Sequence, residues 1–189
     1  MPTIIAFTGR AGAGKTTAAR RLRRTVEYTV DRARADVLAF ADPLRTAVNA
    51  VFPHLGPEAF RENKNEPIPS MPGWSGRRIL QVAGTDWFRS LDNDVWIKNM
   101  EHRLGKFLRP TDYAFVDDVR FPNEAELIRR LGGKLYRITR PEHSPLEAAA
   151  AAHASEAFVD GLIVDGEITN VGTLEDFERD ITALWETLR

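Results

Sequence analysis

The stretch Phe7–Arg20, FTGRAGAGKTTAAR, decides the fold. Its core, Gly9, Arg10, Ala11, Gly12, Ala13, Gly14, Lys15 and Thr16, satisfies G-x-x-x-x-G-K-[ST] without a mismatch. The glycines let the backbone curl until successive N–H groups point inward at phosphate oxygens. Lys15 adds a point charge for the β- and γ-phosphates, and the Thr16 hydroxyl suits the shell of a Mg²⁺ ion. The flanks agree: the apolar run Thr3–Thr8 predicts a buried strand, and KTTAARRLRRTV, from Lys15, carries a helical pattern. Such a strand–loop–helix unit is a nucleoside triphosphate site, with Thr17 joining the loop residues. By itself it leaves open where the phosphate goes.

Outward from that unit, strands and helices alternate. DVLAFA, Asp36 to Ala41, predicts a second strand, and DPLRTAVNAVF a helix capped by Asp42 with Pro43 at its first position. Pro53 to Trp74 is proline-rich and aperiodic, and reads as a mobile substrate-side segment. Helical patterns resume over Ser75–Leu91 and Asn93–Leu108. YAFVDD, Tyr113 to Asp118, predicts a third strand, and NEAELIRRLGG a helix stopped by Gly132 and Gly133. KLYRIT predicts a fourth strand. A short fifth strand near Glu167–Asn170 precedes the helix TLEDFERDITALWETL. This order predicts right-handed βαβ crossovers, hence an α/β, three-layer α/β/α fold on a mostly parallel five-stranded sheet.

Composition sets outer bounds. The chain has 189 residues, enough for one domain with an inserted segment, and a net charge of −1 offers no basic field for nucleic acid. It holds 21 Arg against 5 Lys, a choice that suits bidentate phosphate binding as well as a biased genome. Cysteine is absent, which excludes disulfides, thiolate metal sites and a thiol nucleophile. No apolar run approaches the roughly 20 residues of a membrane span. MPTIIAFTG lacks the marks of a signal peptide, so a cytoplasmic protein without membrane partners is expected. The run Arg20, Arg21, Arg23, Arg24 reads as a solvated helix face.

The destination of the phosphate is written further along. NKNE, Asn63 to Glu66, mimics a guanine-reading motif, but it lies early and in a proline-rich loop. The strand YAFVDD ends in carboxylates placed to hold Mg²⁺ at the sheet edge. Adjacent strand residues point to opposite faces, so one of Asp117 and Asp118 is expected to face the ion. A motor ATPase continues with a water-activating Glu, whereas here Arg120 follows. Arg45, one turn into the helix after the second strand, faces the same ligand-binding sheet edge. Arg77 and Arg89 stand 12 residues apart, about 120° apart in direction on an unbroken helix, with Gly84 a candidate break.

Taken in order, GRAGAGKTT, FADPLR, SGRRILQVAGTDWFR with DVWI, VDDVRFPNEAE, RITRP, HASE and NVGTLEDF resemble the deoxynucleoside monophosphate kinases of tailed bacteriophages, a branch of the P-loop nucleoside monophosphate kinases. The resemblance covers nearly the whole chain, and D-V-R-F-P-N-E-A and L-Q-x-x-G-T-[DE]-x-x-R carry it. It implies a single P-loop kinase domain over 1–189, with an acceptor-binding helical segment at 53–108 and a lid at 140–156. It implies Mg²⁺-dependent transfer of the ATP γ-phosphoryl group to a deoxynucleoside 5′-monophosphate (dNMP) in the cytoplasm, the host's for a phage-encoded chain.

The site residues follow the same resemblance. Arg45 and Arg120 match the acceptor-phosphate arginines, with Lys15 and Asp118 completing the catalytic set and Asp118 at the D-V-R position. Asp42, Lys64, Arg77, Gln81 and Arg89 fall to the dNMP. Arg140, Asn170, Gly172 and Thr173 join the loop at ATP, with Thr173 also a helix cap, while Thr16, Asp117 and Asp118 are the Mg²⁺ candidates. The lid is poor in arginine; His153 in HASE either contacts nucleotide or caps the lid. The partners implied are ATP and a dNMP, with no nucleic acid, in a monomer or homodimer. Two other classes share the loop: a small-molecule kinase of the dephospho-coenzyme A kinase type, and a nucleotide-switch ATPase module.

Overall fold

The computed structural model describes residues 3–107, 109, 112–141 and 158–188. Its strands are β1 (Thr3–Thr8), β2 (Ala35–Leu38), β3 (Tyr113–Val119), β4 (Lys134–Thr139) and β5 (Gly166–Thr169). They form one sheet in the order β2-β3-β1-β4-β5, and every neighbouring pair is parallel. The helices are α1 (Lys15–Thr29), α2 (Asp42–Val51), α3 (Gly76–Gln81), α4 (Arg89–Leu91), α5 (Val95–Phe107), α6 (Pro122–Arg130) and α7 (Leu174–Leu188). The chain divides into two compact units, Met1–Ala39 with Met100–Arg189, and Phe40–Asn99.

In the first unit alternate strand residues go to opposite faces. Ile5, Phe7, Phe115, Tyr136 and Ile138 pack against Ala18, Leu22 and Val26 of α1 and Phe177, Ile181 and Trp185 of α7. The four-residue spacing within each helix makes that apolar stripe, and each large side chain contributes about 1.5–3 kcal/mol by burial. A Cβ on Gly133 would lie 2.9 Å from both Ile4 and Ile128, so α6 covers the other face. Helices on both faces of a parallel sheet give the three layers expected. Part of the basic run is structural: Arg21 donates to Thr182 and Glu178 of α7, while Arg20 and Arg24 are exposed.

The second unit surrounds Leu44, Val48, Phe60, Ile68 and Ile79, with Trp74, Ala83, Phe88 and Trp96 packed around them. The proline-rich stretch is folded here as two 3₁₀ turns, Pro53–Leu55 and Pro57–Phe60, and one antiparallel bridge, Pro67 to Ser75. This unit is Phe40–Asn99, and α2 gives Leu44 and Val48 to its core.

Three local expectations change. Asp42 is the first residue of α2 and not its cap; Ala41 holds the cap position, and Asp42 instead accepts from Arg45 Nη1 at 3.1 Å. The stretch Ser75–Leu91 neither stays α-helical nor breaks at Gly84. Ser75 caps α3, which passes into a π-helix at Val82–Phe88 and then into α4. Gly84 permits this, since a Cβ there would meet Leu44 Cδ2 at 2.5 Å, and Trp96 Nε1 donates to the Gly84 carbonyl at 3.0 Å. The helix expected from Asn93 starts at Val95, after Asp92 Oδ1 accepts from the Asp94 N–H. Of the segment 140–156, only Arg140 and Pro141 are described; His143 and His153 lie outside the described residues, as does Leu108. Among the described residues no helix is long and apolar enough to cross a membrane.

Candidate active site

The loop after β1 takes its shape from glycines in the left-handed region, with φ of 139° at Gly9, 77° at Gly12 and 110° at Gly14. Two of them are also steric necessities. A Cβ at Gly9 would lie 2.2 Å from the Ile138 carbonyl oxygen, and one at Gly14 would lie 2.7 Å from Asn170 Nδ2. The loop ends on the N-terminus of α1, whose first N–H groups lack helical partners and suit an anion. Lys15 is buried and donates from Nζ to the carbonyls of Gly9, at 2.6 Å, and Arg10, at 2.8 Å. Its charge is thus held against the inner wall of the loop.

Because β1 and β3 are parallel neighbours, their C-terminal ends lie side by side. Ala6 pairs with Val116 and Thr8 with Val119, so Phe7 alone stands opposite Asp117 and Asp118. This bulge re-aims the carboxylates. Asp117 is buried, and its Oδ2 accepts from Thr16 Oγ1 at 2.6 Å; Asp118 is half-buried. Next along the chain, Glu124 Oε2 accepts from the backbone N–H groups of Arg120, at 2.8 Å, and Phe121, at 3.1 Å. That buried carboxylate caps α6 and holds the backbone at half-buried Arg120.

The last strand and helix complete the cradle. Asn170 Nδ2 donates to the Ala13 carbonyl at 2.8 Å. Gly172 turns with φ 80°, and Thr173 and Asp176 exchange hydrogen bonds that start α7. Thr17 lies half-buried on α1, Ala11 and Ala13 are buried in the loop, and Arg140 is exposed just past β4.

Asp160 and Arg137 lie outside the expected set. Arg10 Nη2 meets Asp160 Oδ2 at 2.6 Å, and this hydrogen bond holds the Asp160 carboxyl below the usual carboxylate range. Arg137 donates to the carbonyls of Asp160, at 3.1 Å, and Leu162, at 2.5 Å, and to Glu167. The partners lie far apart in sequence, with no motif to link them.

The second unit carries the other expected residues. Arg77 Nε donates to Asn65 Oδ1 at 2.7 Å, and its N–H to the carbonyl of half-buried Lys64 at 2.6 Å. Arg89 is buried and donates to the Asn93 carbonyl at 2.9 Å. Gln81 Nε2 and Arg45 Nε are buried without a hydrogen-bond partner.

Known proteins resemble this chain in sequence and in fold. The family model for deoxynucleotide monophosphate kinase matches residues 55–181. A protein of Acanthamoeba polyphaga mimivirus, provisionally named a deoxynucleotide monophosphate kinase, is 33% identical over 94% of this chain and 93% of its own length. The deoxynucleoside-5′-monophosphate kinase of Escherichia phage T5 is 37% identical over 78 residues, 40% of this chain and 30% of its own. Among solved structures, an APS kinase from Mycobacterium tuberculosis bound to AMPPNP and APS superposes with a TM-score of 0.55 at 16% identity, covering 98% of both chains. Shikimate kinase from Acinetobacter baumannii does so at 0.54 and 15%, over 100% of this chain and 96% of its own. At those identities the structures speak to the fold, that of the P-loop kinases, whereas the family match and the viral relative speak to kinship. The chain belongs to the deoxynucleotide monophosphate kinase family.

Proposed function

We propose that this protein transfers the γ-phosphoryl group of ATP to a deoxynucleoside 5′-monophosphate, giving ADP and a deoxynucleoside diphosphate for dNTP supply. The observation that carries the reading is the Thr16–Asp117 pair beside buried Lys15, in a chain of this family. An acceptor phosphate oxygen bonds to the γ-phosphorus while the bond to the β–γ bridging oxygen breaks and ADP leaves. The acceptor is already an anion, so no general base is needed, and the protein's task is alignment and charge neutralisation.

Mg²⁺ takes hard oxygen ligands and keeps waters and substrate phosphates in its shell. The Thr16 hydroxyl and the Asp117 carboxylate, 2.6 Å apart, fit that chemistry and are the residues that would hold it, with Asp118 as their neighbour. Among the described residues no cluster of three His, Cys, Asp or Glu offers an all-protein metal site, as suits an ion completed by nucleotide oxygens. Gly9 to Thr17 hold the ATP phosphates, and Arg140, Asn170, Gly172 and Thr173 complete that nucleotide's site. Asp42, Arg45, Lys64, Arg77, Gln81, Arg89 and Arg120 serve the acceptor, and Lys15, Arg45, Arg120 and the β3 carboxylates serve the transfer. The substrates are small molecules; the reading needs no nucleic acid and is met by one kinase domain, as monomer or homodimer, in the cytoplasm where its substrates are.

The deciding assay follows ADP formation from ATP and Mg²⁺ with each common dNMP and NMP and with no acceptor. Turnover with deoxynucleotides, far above the acceptor-free rate, is the expected result. Equal slow turnover in every case would sink the reading.

A further inference from the structure

The π-helical turn changes which side chains share a face. Over an unbroken α-helix, at about 100° per residue, Arg77 and Arg89 would point about 120° apart. An i→i+5 ladder winds wider than an α-helix, so each residue in it turns through less than the α-helical angle. The π segment is seven residues long, Val82–Phe88. The wider winding leaves Arg89 turned less far from Arg77 than an α-helix would, with Gln81 and Thr85 spaced four apart between them.

Burial agrees with this winding. Ile79, Leu80, Ala83 and Phe88 pack in the core on one side. Arg78, Val82, Asp86 and Ser90 are exposed on another. Between these lie Arg77, Gln81 and Thr85, half-buried, and Arg89, buried. An all-α stretch would have carried Thr85 and Arg89 round toward the exposed side. The Gln81 amide nitrogen, buried without a hydrogen-bond partner, is a donor held ready at a cost that a bound ligand would relieve.

From this geometry, and resting on the function proposed above, we propose that Gln81 and Thr85 are specificity-determining residues that read the base edge of the acceptor nucleotide. Thr85 is thereby added to the acceptor set. A guanidinium at one end of the stretch suits the single phosphate of the acceptor. The Gln81 carboxamide and Thr85 hydroxyl suit an uncharged edge of alternating donors and acceptors.

The test measures kcat/KM for dAMP, dCMP, dGMP and dTMP, and KM for ATP, in the wild type and in Gln81→Glu, Thr85→Val and Thr85→Ser, with thermal melting of each. Gln81→Glu exchanges a donor for an acceptor at constant shape, and Thr85→Val removes the hydroxyl. Each is expected to change the ratio between the best and the other dNMPs by roughly tenfold or more, with KM for ATP unchanged and Thr85→Ser keeping the wild-type order. Uniform losses across all four dNMPs, or unchanged ratios in folded variants, would overturn the inference while leaving the kinase reading intact. A wild type that phosphorylates no dNMP would overturn both.

Discussion

Thr16 Oγ1 donates to Asp117 Oδ2 at 2.6 Å, joining the last residue of the phosphate loop to the end of the neighbouring strand, 101 residues away in sequence. Asp118 is the other carboxylate of the bulge opposite Phe7. The contact singles out Asp117, whereas the D-V-R pattern begins at Asp118.

The two carboxylates should accordingly differ in function. Asp117→Asn is expected to lower kcat by about a hundredfold or more and to raise the Mg²⁺ concentration needed for half-maximal rate, because the ion loses a charged oxygen. Asp118→Asn is expected to do much less. Steady-state kinetics across a Mg²⁺ titration would decide, and the reverse ranking would mean that Asp118 swings to the ion when nucleotide binds.

Lys15→Met removes a buried cation that the loop carbonyls of Gly9 and Arg10 now hold. With no cation to meet the transferring phosphoryl group, kcat should fall by about 10²–10³-fold. The check is single-turnover transfer at saturating ATP; retention of more than a tenth of the rate would remove Lys15 from the transfer.

Gly9→Ala meets two penalties at once, a φ of 139° and a Cβ 2.2 Å from the Ile138 carbonyl oxygen. Backbone must shift to accept it, so a loss of about 2 kcal/mol or more is expected, with weakened ATP binding. Denaturant melts and ATP titration would measure both. An unchanged melting curve would contradict the close packing of the loop on β4.

The Arg10–Asp160 pair should leave a signature in acid. The hydrogen bond from Arg10, with the charges of Arg10 and Arg137, lowers the Asp160 pKa from its ordinary 3.8. A depressed carboxylate adds stability that is fully present above the unfolded value and is lost as pH falls through the folded one. The stability gap between wild type and Asp160→Asn should therefore be constant above about pH 5 and close as pH drops below 3.8. Both side chains are largely exposed, so the gap is at most about 1 kcal/mol. Melting temperatures from pH 2.5 to 7 would test it; a gap that widens toward acid has the wrong sign for this pair.

Much of the fold was legible because local chemistry and tertiary demand coincide. β1 and β4 occupy Thr3–Thr8 and Lys134–Thr139 as expected, each paired with a strand on either side in the sheet. The phosphate loop was legible because glycine is the residue that tolerates the φ values it needs. Thr173 was legible as the cap of α7, because a hydroxyl followed three residues later by a carboxylate forms a reciprocal pair with the backbone.

Where the reading slipped, one cause was a neighbour in the same helix and the other was contact between residues further apart in sequence. Asp42 has the composition of a cap, yet Arg45 one turn on gives it a partner inside the helix. Gly84 looks like a helix break, but the space it leaves is filled by Leu44, and Trp96 takes its carbonyl, so the chain winds wider rather than stopping.

The sequence by itself determined the phosphate loop, the alternation of strands and helices, and the family, because each depends on residue type at short, fixed spacing. Tertiary structure alone decided which aspartate meets Thr16, that Asp160 holds Arg10, and that Val82–Phe88 winds as a π-helix. Those depend on a register shift, a contact across 150 residues and the pitch of one helical turn. None of the three is encoded in local spacing; each is set by what the rest of the chain packs against it.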